Sequence, residues 1–168
     1  MIDAGVRRPA VTNVSPSDSR KLGSPGDVTR VGVVGLGYWG PNLARNLEAI
    51  DGVQLAWCCD ERAEVRERLA SVHRQARFTG DLDDLLADDS LDAIVVATPV
   101  PTHAALAVRV LEAGKHCFVE KPLVQSAADA QRAVSVARAS GRVLMVGHLL
   151  EYHPGVRKLK QIADRRSA

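Results

Sequence analysis

Aromatic residues are scarce in this 168-residue sequence: Phe, Trp and Tyr make up 4% of a chain that is 46% hydrophobic. The interior must therefore be built from Val, Leu, Ile and Ala, which suits parallel strands buried on both faces. Cysteine is sparse too. Cys58, Cys59 and Cys117 are odd in number and form no Cys-x-x-Cys pair, which argues against a disulfide framework, a zinc knuckle or any other metal site. Charge of one sign is also lacking, with 22 basic residues against 20 acidic ones. No basic stripe offers the footprint of a nucleic-acid partner. No apolar run approaches the roughly 18 residues of a membrane span. Reduced thiols, no membrane partner and no apolar secretory segment lead to the expectation of a cytoplasmic protein.

Periodicity is missing from residues 1–29, where Gly5, Pro9, Pro16, Gly23, Pro25 and Gly26 are scattered among serines. This stretch cannot bury enough apolar surface to order itself and reads as a disordered leader. From Arg30 onward short apolar runs alternate with amphipathic stretches. Strands are predicted over 31–34, 53–59, 77–79, 93–97, 116–119 and 143–146. The first helix is opened by Pro41 and carries Leu43, Leu47 and Ile50 on one face. Others are predicted over 62–70, around Leu82, Leu85 and Leu86 behind the cap Asp81, and over 102–113 before Gly114. The next starts at a capping box of Ser126 and Asp129 and stops at Gly141, and the last covers 154–163. Such alternation implies right-handed crossovers and an α/β fold, a doubly wound parallel sheet with helices on both faces. The domain reading is 30–147 for this unit and 148–168 for a linking helix that starts a truncated further domain.

The glycine turn is the first feature with chemistry in it. Gly35-Leu36-Gly37-Tyr38-Trp39-Gly40 lies directly after the strand Val31-Gly32-Val33-Val34 and directly before a helix. Gly35 permits the tight turn, Gly37 lets backbone approach a pyrophosphate, and Gly40 lets helix pack on strand. The helix N-terminus then offers unpaired N–H groups to the phosphates. Asp60 stands twenty positions beyond Gly40, at the end of the second strand, where its carboxylate can accept from ribose hydroxyls. A 2′-phosphate would meet a like charge there, so NAD is favoured over NADP. Arg62 argues the other way, as a guanidinium able to hold that phosphate. Tyr38 and Trp39 either flank the cofactor or pack beside the turn. Cys58 and Cys59 alternate across a strand and are assigned no chemistry.

Two further segments lie at strand ends, where open α/β sheets bind ligands. One is Ala97-Thr98-Pro99-Val100-Pro101-Thr102-His103, and the other Glu120-Lys121-Pro122. Lys121 has two readings, a solvated surface lysine or a group that hydrogen-bonds a substrate oxygen and moves its proton. The glycine turn, Ala97-Thr98-Pro99 and Val119-Glu120-Lys121-Pro122-Leu123, in this order, resemble the Gfo/Idh/MocA oxidoreductases. Gly-Tyr-Trp-Gly-Pro-Asn, Gly147-His148 and Tyr152-His153-Pro154 are similar, within that family, to the UDP-N-acetylglucosamine-type 3-dehydrogenases.

The resemblance implies hydride transfer between a sugar or nucleotide-sugar carbinol carbon and nicotinamide C4. It places Lys121 near the reacting hydroxyl with Glu120 orienting it, and makes both border the cofactor. It puts Thr98, Pro99 and His103 on the nicotinamide side, and marks Pro122 as a candidate cis peptide. His148 either faces the cleft between domains as a third catalytic group or is a structural histidine. Members of the family continue into a second α/β domain that supplies most of the substrate site. Its absence leaves three arrangements open: a fragment, a homo-oligomer or a partner chain that completes the site. A dinucleotide-binding module without catalysis is the alternative function, and a methyltransferase-like reading is weakened by Lys121 and the three-glycine turn.

Overall fold

The computed structural model describes residues 28–166. The expected leader lies outside the described residues except for Val28 and Thr29, and Thr29 already opens the first strand. Six strands form one sheet: β1 (Thr29–Val34), β2 (Val53–Cys59), β3 (Arg77–Thr79), β4 (Ala93–Val96), β5 (His116–Val119) and β6 (Leu144–Val146). All neighbouring strands are parallel, in the order β3-β2-β1-β4-β5-β6. The chain runs outward from β1 to β3, returns to the far side of β1, and runs outward again to β6. That return opens a crevice at the carboxyl ends of β1 and β4, where such sheets receive ligands.

Strand alternation sends Val31, Val33 and Val95 to one face and Val34, Ile94 and Val96 to the other. Helices α1 (Gly40–Glu48) and α2 (Ala63–Ala70) cover the first face through Ala44, Val65 and Leu69. Helices α3 (Leu82–Leu86), α4 (Val100–Glu112) and α5 (Ala127–Ser140) cover the second through Leu85, Val110, Leu111 and Ala137. The doubly wound sheet is thus the one the alternating pattern implied. Each fully buried leucine or isoleucine, Leu85, Ile94 and Leu111 among them, contributes about 2 kcal/mol. Cys58 packs on the first face and Cys59 on the second. Burial pushes both thiols, and that of Cys117, up to about 12, so they behave as small hydrophobes.

Several boundaries differ from the sequence expectation for local reasons. Helix α4 starts at Val100 rather than Thr102, because Pro99 takes an extended conformation as its cap and Pro101 fits a first turn that needs no N–H. Ile50 is exposed, since α1 ends at Glu48 and Ile50 falls in the turn beyond. The Ser126 box is half formed. Asp129 N–H donates to Ser126 Oγ at 3.1 Å, but the Ser126 hydroxyl then donates to the Asp129 carboxylate at 2.7 Å. A 3-10 turn, Leu149–Tyr152, was not anticipated. Helix α6 (Pro154–Arg166) runs longer than predicted, and Val156, Leu159 and Ile162 on it are exposed.

Candidate functional site

The glycine turn closes on itself and on its neighbour. Gly35 has φ of 89°, and a Cβ there would lie 2.7 Å from Ala97 C and Thr98 N, so no side chain fits where the turns after β1 and β4 cross. A Cβ on Gly40 would lie 2.0 Å from Gly35 O. Gly37 differs in kind. A Cβ there would approach only Arg62 Nη2, at 3.9 Å, which leaves open ground above the backbone. No side chain caps α1 and no acid stands in its first turn. Its N–H groups and partial positive charge therefore remain available to an anion. This cradle fits a dinucleotide pyrophosphate: two glycines let the turn form and the third leaves room for the ligand. Tyr38, 83% exposed, and Trp39 stack edge to face with centroids 5.4 Å apart at its rim.

Asp60 is buried at the end of β2 and pins this turn. Leu36 N–H donates to its Oδ2 at 2.8 Å. Arg62 donates three times: its N–H to Oδ1 at 3.0 Å, its Nε to Oδ1 at 2.9 Å and its Nη2 to Oδ2 at 3.0 Å. A carboxylate offers about four acceptor positions, so these four donors fill it. Burial works to raise the Asp60 pKa. Hydrogen bonds from the Arg62 side chain and from the Leu36 and Arg62 backbone, with the Arg62 charge, outweigh it and hold the carboxyl below its ordinary range. Arg66 Nη1 donates to the carbonyls of Asp60 and Glu61 at 2.7 and 2.9 Å and steadies the same loop. The sequence marked Asp60 as a ligand for ribose. Its tie to Leu36 went unseen, because that contact exists only once β1 and β2 are neighbours.

The second cluster lies at the ends of β5 and β6. The Lys121–Pro122 peptide bond is cis, and Lys121 is exposed, with no hydrogen bond or ion pair to its Nζ among the described residues. Glu120 is buried; its Oε2 accepts from Lys121 N–H at 3.2 Å. Its Oε1 backs onto Gly147, where an added Cβ would stand 3.3 Å away. Lys121 and His148 share a cavity of about 400 Å³, walled also by Pro122, Gly147, Leu149, Leu150 and Glu151. The structure therefore joins two predicted residues from different strand ends. It adds Leu149, Leu150 and Glu151, whose short 3-10 turn leaves no periodic signal in the sequence.

Thr98 is half-buried and Pro99 exposed at the end of β4, with Thr98 Oγ1 2.7 Å from Thr102 Oγ1. His103 departs from its expected place. Its ring is enclosed beneath the turns and both nitrogens face carbonyl oxygens, so it presents no edge to the nicotinamide side. Among the described residues no group of His, Cys, Asp and Glu is arranged to hold a metal, and no helix is long and apolar enough to cross a membrane.

Residues 29–148 match the family GFO_IDH_MocA, described as an oxidoreductase family with an NAD-binding Rossmann fold. The UDP-N-acetylglucosamine 3-dehydrogenase of Acidithiobacillus ferrooxidans is 36% identical over 132 residues, 79% of this chain and 41% of that one. The 4-carboxy-2-hydroxymuconate-6-semialdehyde dehydrogenase of Sphingobium sp. is 34% identical over 125 residues, 74% of this chain and 40% of its own length. GenD2 from gentamicin A biosynthesis, solved in complex with NAD, matches with a TM-score of 0.78 and 37% identity, covering 92% of this chain and 43% of GenD2. The chain spans about 40% of the length of the curated relatives it matches.

Proposed function

The chain belongs to the Gfo/Idh/MocA oxidoreductases, with an NAD-binding Rossmann domain over residues 29–148, and from that premise we propose that the protein moves a hydride between a sugar or nucleotide-sugar carbinol carbon and nicotinamide C4. The observation that carries this reading is the placement of Lys121. Among the described residues its Nζ has no partner, and it stands on a cavity shared with His148 at the carboxyl end of the sheet, the end that also carries the glycine turn. The name of one similar protein, a UDP-N-acetylglucosamine 3-dehydrogenase, supports the substrate class.

NAD, when bound, supplies the nicotinamide carbon that accepts or returns the hydride. The chain supplies the rest. The turn from Gly35 to Gly40 and the start of α1 hold the pyrophosphate. Asp60 takes the adenosine ribose hydroxyls, which requires the Arg62 fork to give up part of its hold. In the direction of reduction, the Lys121 ammonium donates to the carbonyl oxygen and hands it a proton as the hydride reaches carbon. In the direction of oxidation the neutral amine takes the hydroxyl proton back. Glu120 anchors the Lys121 backbone, and His148 faces the same cavity as a second proton carrier.

The test is NADH formation from NAD with UDP-N-acetylglucosamine, other nucleotide sugars and inositol, using the polypeptide with whatever follows Ala168 in its reading frame. Lys121→Ala should abolish turnover and leave NADH affinity nearly unchanged. A strong loss of NADH binding in that variant would move Lys121 from the reaction to the cofactor grip. Tight NADH binding without turnover on any of these compounds would favour the non-catalytic module.

A further inference from the structure

His103 lies where the turns after β4 and β5 meet. The ring is 1% exposed, with Nδ1 2.9 Å from Pro122 O and Nε2 2.8 Å from Thr98 O. Neither contact is a helix cap, since one acceptor lies five residues before His103 and the other nineteen after it. Among the described residues no other side-chain hydrogen bond joins these two turns. The Thr98 turn in turn backs onto Gly35, whose added Cβ would meet Ala97 C and Thr98 N at 2.7 Å. One imidazole thus ties the Lys121–Pro122 turn to the Thr98–Pro99 turn, and that turn to the glycine turn.

We propose that His103 is a positioning residue: it sets the spacing between the Thr98 and Lys121 turns, and so the width of the slot for the nicotinamide half of the cofactor. The proposal rests on NAD binding by this domain and is independent of the sugar reading above. The physical reason is that a peptide carbonyl held from below fixes its peptide plane. Holding Pro122 O fixes the Pro122–Leu123 peptide and, through the ring-locked φ of Pro122, steadies the turn on which Lys121 stands, while holding Thr98 O fixes the Thr98–Pro99 peptide of the opposite wall. An uncharged imidazole carries one N–H, so it donates to one of the two carbonyls and only packs against the other.

Side-chain amides separate the two ties. The amide nitrogen of Asn takes the place of Nδ1, and that of Gln the place of Nε2. The experiment measures NADH and ADP-ribose affinities by calorimetry, with amide hydrogen exchange followed by mass spectrometry, for wild type, His103→Ala, His103→Asn and His103→Gln. His103→Ala should weaken NADH about tenfold, the scale of one lost hydrogen bond, and ADP-ribose less than about twofold. Faster exchange should be confined to 97–103 and 119–124. His103→Asn should restore protection to the second segment alone, and His103→Gln to the first alone. Equal losses for NADH and ADP-ribose, with exchange faster throughout, would overturn the proposal and leave His103 an ordinary core residue. An unchanged ratio of the two affinities in folded Asn and Gln variants would overturn it as well, even where the Ala variant fails to fold. No NADH binding by the wild-type chain would instead strike the cofactor reading and remove the proposal with it.

Discussion

On the β1 side of the crevice the polar side chains answer one another, whereas on the β5–β6 side Glu120 is buried but Lys121 and His148 open onto the cavity. Gly35 N–H donates to Cys59 O at 2.8 Å, Leu36 N–H to Asp60, and Arg62 closes over the same carboxylate. Across the crevice Lys121 has no partner at Nζ among the described residues, and Leu149 and Leu150 are exposed beside it. Helix α6 continues that side with Val156, Leu159 and Ile162 uncovered. The contrast follows from what each side serves. A pyrophosphate is the same in every reaction, so backbone N–H groups of one domain suffice to hold it. A reacting carbon must be oriented by side chains that differ from substrate to substrate, and the described residues supply only part of such a wall.

Substitutions on the two sides should therefore differ sharply in what they cost. Gly40→Ala drives a Cβ into Gly35 O and should destabilise the fold by about 3 kcal/mol, read by urea unfolding. A neutral result would mean that the turn opens freely. Arg62→Ala comes next in size. It frees acceptor positions on Asp60 for ribose and removes the cation nearest Gly37, so NADH should bind about threefold tighter and NADPH about tenfold weaker. Fluorescence titration of both cofactors checks this, and a parallel loss of both would show that the fork only holds the loop in shape.

The third test uses acid. The fold holds Asp60 below 3.8, so the stability this carboxylate adds is present above its ordinary range and is lost as pH falls from 3.8 toward the folded value. Asp60→Asn should therefore be less stable than wild type at neutral pH, and the gap should close in acid. A gap that stays constant with pH would assign the loss to packing rather than to charge. The smallest effect belongs to the open side. Leu159→Asp touches no core and should change stability by less than about 0.5 kcal/mol in thermal unfolding of this chain. A larger loss would show that α6 is covered after all.

Much of the fold was legible because its signals are local. The runs at Val31–Val34 and at 53–59 read as buried strands, and Gly114 and Gly141 stop α4 and α5 where predicted. The site was legible in its residues more than in its contacts. Thr98 and Lys121 were marked from their positions at strand ends and His148 through the family resemblance, yet nothing in the chain announced the 3-10 turn that lines the cavity beside them. Likewise, His103 carries a motif position that suggests a ligand, and its enclosure between Thr98 O and Pro122 O exists only once the turns after β4 and β5 come together.

By itself the sequence determined the alternation of strand and helix, the glycine turn with its acid twenty residues on, and the family to which both belong. These depend on spacing along the chain and on backbone freedom at single residues. Only the tertiary structure decided that Asp60 holds Leu36 as well as Arg62, that Gly37 faces open ground while Gly35 and Gly40 face backbone, and that His103 ties two turns together. The ties of Asp60 to Leu36 and of His103 to Thr98 and Pro122 join residues five to twenty-four positions apart through neighbouring strands or turns. They come into being when the sheet sets β1 between β2 and β4, and no local pattern encodes that order.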